Sequence, residues 1–155
     1  MPRGRRTYDS AIRSGFGFAM SVLLARAGTL AASGSAILDI FQVPAHWGTD
    51  KDGAAFVLGE LFLFLGSKGS TSGSTTVKVI KNGDVTNGII GTLTIAYNAT
   101  DAFLKLDLRD ALGNAPLLAK LAPGDQIGLL ITAVPGTASA NCSVRCSGKA
   151  YDPAL

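Results

Sequence analysis

The fold is decided by Thr75-Thr76-Val77-Lys78-Val79-Ile80-Lys81-Asn82-Gly83-Asp84. Threonine, valine and isoleucine crowd this stretch, and branched side chains pack well on a pleated surface while crowding a helix. A period of two sends Val77 and Val79 one way, Lys78 and Ile80 the other. Asn82-Gly83 then supplies two residues that tolerate the positive φ of a tight hairpin turn. The stretch reads as a strand ending in a turn.

The same signals recur on either side. Ala36–Val43 is a strand stopped by Pro44. Ala54–Leu65 is almost continuously apolar and bounded by glycines, as expected of a strand buried by core on one face and by a subunit contact on the other. Gly66–Gly73 is a Gly/Ser loop. Gly91–Tyr97 alternates Leu93, Ile95 and Tyr97. Phe103–Arg109 sends Leu104, Leu106 and Leu108 inward and Lys105, Asp107 and Arg109 outward. Asp110–Ala115 is a turn, and Leu121-Ala122-Pro123-Gly124-Asp125-Gln126 is a Pro-Gly turn feeding Ile127–Val134. Ala140–Ser147 alternates Cys142, Val144 and Cys146 with Asn141, Ser143 and Arg145. About seven to nine short strands with regular turn signals predict an all-β sandwich or barrel.

Composition agrees. The chain has 155 residues, 47% hydrophobic and only 16% charged, with 19 glycines. That length suits one domain, and the sparse charge suggests apolar surface covered by neighbours. The net charge of +3 is unevenly spread: residues 1–26 carry five arginines and one aspartate, a net +4, and the remainder is near neutral. The predicted division is therefore a basic, apolar arm over residues 1–26 and a sandwich over residues 27–155. The arm holds Arg3, Arg5, Arg6, Arg13, Phe16 and Phe18. Alternation of Phe16, Phe18, Met20, Val22 and Leu24 with small residues favours an extended segment. A helix capped by Ser10, with Ile12, Phe16, Ala19 and Leu23 on one face, is the alternative. Arg5-Arg6 before an apolar run resembles a secretion signal, but Arg13 and Arg26 interrupt it, and an ordered arm is expected instead. Without an aromatic basic groove, nucleic acid is the weaker partner for this charge. No stretch is apolar for long enough to cross a bilayer as a helix.

Chemistry is hard to place. His46 is the only histidine. Gly69-Ser70-Thr71-Ser72-Gly73 matches the spacing of a nucleophile elbow but lies in a loop between strands, with no helix to follow. Asp101, Asp107 and Asp110 are close in sequence, yet Asp107 interleaves with Lys105 and Arg109, which favours a structural ion pair. Cys142 and Cys146, four apart on a strand, would lie ~13 Å apart, too far for a disulfide. They read as small core residues. Asp50 and Asp52 alternate as in a calcium loop, but the spacing of the glycine and glutamate that follow does not match one. The expectation is no enzyme, no metal and no cofactor. Trp47, opening the His46–Gly53 loop, is a candidate glycan or partner contact, with a lid over the sandwich end as the plainer reading.

The Thr76–Gly83 strand with its Lys-Asn-Gly turn and the Leu-Ala-Pro-Gly-Asp turn at 121–125 resemble the small jelly-roll β-sandwich modules of tailed-bacteriophage virions. Such modules occur in capsid decoration (cement) proteins, head fibres and tail tips. The likeness covers about residues 36–150. It implies an antiparallel jelly-roll β-sandwich, a homotrimer, a virion location on the capsid exterior and the major capsid protein as partner. In that setting the apolar run Leu61, Phe62, Leu63, Phe64 and Leu65 is the expected subunit interface, and the arginine arm the capsid contact. A tail or head-fibre adhesin binding a host glycan through Trp47, Tyr97 or Tyr151 is the alternative.

Overall fold

The computed structural model describes residues 18–109 and 115–151. The expected arm residues Arg3, Arg5, Arg6, Arg13 and Phe16 lie outside them. Among the described residues there are nine strands: β1 (Phe18–Thr29), β2 (Leu38–Gln42), β3 (Phe56–Ser67), β4 (Ser74–Lys81), β5 (Ile89–Ala96), β6 (Phe103–Asp107), β7 (Lys120–Leu121), β8 (Gln126–Ala133) and β9 (Ala140–Ala150). One helical turn, α1 (Ala115–Leu118), precedes β7.

Setting aside the two-residue β7, the pairing is nested. β1 pairs with β9, β2 with β8, β3 with β6, and β4 with β5, all antiparallel. A ribbon of nested pairs rolled over itself sends alternate pairs to opposite layers. One sheet has the order β1-β9-β3-β6 with β7 beside β3, and the other β2-β8-β4-β5. Eight strands in two such layers make a jelly roll, so the expected all-β antiparallel sandwich is the observed fold.

Period-two alternation builds the core. Leu24 from β1, Leu61, Leu63 and Leu65 from β3, and Cys142, Val144 and Cys146 from β9 face Val77, Val79, Leu93, Ile95, Ile127, Leu129 and Ile131 of the second sheet in one buried cluster. At one end of this interior the two sheets are also tied by a buried hydroxyl pair, Thr75 Oγ1 donating to Ser139 Oγ at 2.6 Å.

The Lys-Asn-Gly and Leu-Ala-Pro-Gly-Asp turns grip each other. Asn82 and Gly83 both take positive φ, 53° and 69°. Asn82 Nδ2 donates to Asp125 Oδ1 at 2.9 Å, and the Gln126 N–H donates to Asn82 Oδ1 at 2.8 Å. Lys81 Nζ sits 3.2 Å from Asp125 Oδ2, which also accepts the Ala122 N–H at 2.8 Å. Burial works against the Asp125 charge, but hydrogen bonds from Asn82, Ala122 and Lys81 outweigh it and lower its pKa. The turn is longer than a two-residue hairpin. A second turn, in which Asp84 Oδ1 accepts the N–H groups of Thr86 and Asn87, carries the chain to Lys81 N–H···O=C Gly88 at 2.7 Å.

Two boundaries differ from the sequence reading. The division expected at Arg26/Ala27 falls inside β1, whose residues from Phe18 to Arg26 pair with β9 from Ala150 to Cys142. Residues 18–26 are thus a strand of the sandwich, because alternating Met20, Val22 and Leu24 have a sheet to pack against. The Gly/Ser loop is also stitched down: Ser70 and Thr137 exchange backbone hydrogen bonds, and Lys68 Nζ donates to the Ala99 carbonyl.

Candidate interaction surface

Continuous apolarity along Ala54–Leu65 suggested burial on both faces. The backbone instead splits the run. Leu61, Leu63 and Leu65 face inward with at most 1% exposure, which commits them to the core rather than to a subunit interface. Phe62 and Phe64 face outward. They are the part of the expected interface that a partner can reach.

Register then decides what surrounds them. One row across the outer face reads Leu23–Arg145–Phe62–Lys105, and the next Ala25–Ser143–Phe64–Phe103. Leu23, Phe64 and Phe103 are 63%, 54% and 50% exposed, a clustering of large apolar side chains that single surface leucines do not need. The Phe62 and Phe103 rings stack with centroids 5.8 Å apart. The Arg145 guanidinium lies 4.5 Å from the centre of the Phe62 ring and Lys105 Nζ 5.8 Å from it, both in cation–π range.

A charged rim borders the patch. Glu60 pairs with Lys105 at 2.9 Å and with Arg109 at 3.5 Å, and Arg109 reaches Asp107 at 2.7 Å. The Arg109 side-chain hydrogen bond, helped by its backbone N–H, holds the Asp107 carboxyl at about 2. This is the structural ion pairing expected of Asp107. An aromatic centre with a polar rim is the anatomy of a protein–protein contact.

The other candidates do not gather into a site. Phe18 begins β1 opposite Ala150 and is half-exposed. Trp47 is half-buried and packs on the core, as a lid would, and its backbone N–H closes a turn onto the Pro44 carbonyl at 3.2 Å. Tyr151 is 8% exposed, which removes it as a stacking platform. Asp50 Oδ1 accepts the N–H groups of Asp52 and Ala54, and Asp52 pairs with Lys120 at 3.5 Å. Among the described residues no three metal-ligating side chains come together. Burial pushes the Cys142 thiol to about 11 and the Cys146 thiol to about 12. Both remain neutral core residues. A cavity of about 170 Å³ between Arg26, Leu30, Leu38 and Ile131 is smaller than the ~300 Å³ at which ligand pockets begin.

Leu23, Phe103 and Arg145 were not among the expected site residues. The outward side of Phe103 and Arg145 follows from alternation, but their meeting with Phe62 depends on the strand order.

No family model matches the chain, and no curated protein matches it significantly. Among solved structures it is similar to the capsid of Ralstonia phage GP4, at 16% identity over 88% of this chain and 85% of that one, TM-score 0.47. It is also similar to Bacillus endospore appendages, a family of disulfide-linked pili, at 13% identity over 89% and 92%, TM-score 0.40. Turnip yellow mosaic virus gives 13% identity over 90% and 83%, TM-score 0.35. At these scores the likenesses carry no functional argument.

Proposed function

We propose that the protein is a structural, non-enzymatic virion component: a capsid decoration protein that forms homotrimers on the exterior of a phage head. The observation that carries this reading is the uncovered Leu23/Phe62/Phe64/Phe103 patch with its Arg145, Lys105 and Glu60 surroundings. The jelly-roll topology and the two clasped turns support it.

Magnitudes shape the proposal. Completing the burial of four partly exposed large side chains contributes roughly 3–6 kcal/mol per copy. Association costs about 4–15 kcal/mol in lost freedom. One copy's patch alone is therefore marginal, and assembly needs every copy to bury its own. Attachment to the shell falls to the basic segment 1–17, acting on an acidic face of the major capsid protein. Burial of its apolar residues on docking offsets the cost of association.

Since residues 18–29 are a strand of the sandwich, the segment to delete is 1–17. The truncated protein is expected to keep the circular dichroism of the full chain and to lose binding to purified shells of the parent phage. A truncated protein that decorates shells as well as the full chain would overturn the role given to the arm.

A further inference from the structure

Strand β1 is twelve residues long and stands at the margin of its sheet, with β9 on one side and, among the described residues, no strand on the other. Proteins protect such edges with charge, proline or a covering loop, because unpaired N–H and C=O groups template pairing with another chain. Here Phe18-Ala19-Met20-Ser21-Val22-Leu23-Leu24-Ala25 contains neither charge nor proline.

One edge group is satisfied. The Ala25 N–H donates to Asp39 Oδ2 at 2.6 Å, across the corner from β2. That bond shows that the Ala25 N–H points away from β9. Alternation in an antiparallel ladder then points the N–H and C=O groups of Ala19, Ser21 and Leu23 the same way. Asp39, itself held at positive φ (46°), therefore closes the edge at its Ala25 end, and no other described residue covers Phe18–Leu24.

We infer that two copies of this chain join edge to edge along β1, antiparallel, about a two-fold axis at Ser21. Ser21 is the middle one of Ala19, Ser21 and Leu23, the described residues whose N–H and C=O groups point outward. The register places Ser21 against Ser21 and Ala19 against Leu23, so the smallest side chain of the segment meets an exposed bulky one. With no charge from Phe18 to Ala25 on either copy there is no repulsion across the axis. Residues facing each other in this way exchange both backbone hydrogen bonds, about six over the three pairs. The two four-stranded sheets become one continuous sheet, and the two edges vanish together. The pairing is isologous, as a two-fold requires. It rests on the edge alone and not on attachment to a shell. Trimers whose free edges pair in this way would assemble in multiples of three.

Cysteine substitution reads the register directly. Opposed residues of such a pair have Cα atoms ~5.5 Å apart, within disulfide range. Ser21→Cys is expected to give a covalent dimer on a non-reducing gel after treatment with oxidised glutathione. Ala19→Cys, displaced four residues from its own copy and so ~13 Å away, is expected to stay unlinked. Cys142 and Cys146 are buried and neutral and do not compete. Ser21→Lys, which sets two like charges together at the axis, should abolish pairing of the otherwise wild-type chain while the fold persists. A Ser21→Cys protein that folds but does not link, equal linking at 19 and 21, or unchanged pairing in Ser21→Lys would each overturn the inference.

Discussion

The two outer faces of the sandwich carry apolar residues in comparable places and treat them differently. On the β2-β8-β4-β5 sheet, Ile80 and Leu130 are buried although they lie outside the main core. The chain covers that face itself: Ile37 sits so close over Gly128 that a Cβ there would meet Ile37 Cγ2 at 2.4 Å. Beside them the face is polar, with Thr76 and Thr94 bonded across strands at 3.1 Å and Lys78 opposite Thr92. Ile40 at its margin is the one large apolar side chain left exposed among the described residues of that face. On the β1-β9-β3-β6 sheet, Leu23, Phe64 and Phe103 have no such cover. The first face is largely closed by its own chain, whereas the second leaves three large apolar side chains uncovered side by side.

The contrast can be broken first from inside. Leu63→Ala removes a fully buried side chain from the row behind the patch and should cost about 2–5 kcal/mol in denaturant unfolding. Phe64→Ser, the next residue along, should change stability by no more than about 0.5 kcal/mol in the monomer and act on self-association instead. Equal losses at the two positions would mean that the inward–outward split is wrong. On the closed face, Gly128→Val should displace Ile37 and cost roughly 1–3 kcal/mol. Unfolding midpoints of this variant should fall, and a neutral result would show that the Ile37 cover contributes nothing.

Much of this division was legible in the chain, and the part that was not has a physical reason. Alternation along Phe103–Arg109 and Ala140–Ser147 gave the correct side for every residue, because each strand has one wet face and one dry face. Leu61–Leu65 was misread since phenylalanines on the outward positions erase the polar half of the pattern. The Met20, Val22 and Leu24 alternation was visible, yet pairing with β9, more than a hundred residues away, was not. The Lys-Asn-Gly and Leu-Ala-Pro-Gly-Asp motifs were seen as turns. Their grip on each other depends on β4 and β8 being neighbours, which no local signal states. The patch is a product of register, and so only its pieces could be read.

Smaller effects sharpen the picture at the turns and the rim. Asp125→Ala should cost about 1–3 kcal/mol by freeing Asn82 and Lys81. Its folded pKa is lowered, so its contribution is present above the unfolded carboxylate value and is lost as pH falls through the folded one. Asp107 obeys the same sign. With a folded value of about 2 against 3.8, its contribution fades between pH 4 and 2, and an Asp107→Asn protein should lose less stability than the wild type across that window. Steeper acid loss in the Asn variant would contradict the Arg109 pairing.

The most direct test of a partner-seeking face is the mass of the particle in dilute buffer, by light scattering or sedimentation. The wild-type chain of 15.9 kDa should appear as three copies or a multiple of three. A Phe64→Glu/Phe103→Glu double variant, with the same far-ultraviolet spectrum, should lose the threefold assembly. A wild-type monomer, or a double variant that assembles as the wild type does, would contradict the account.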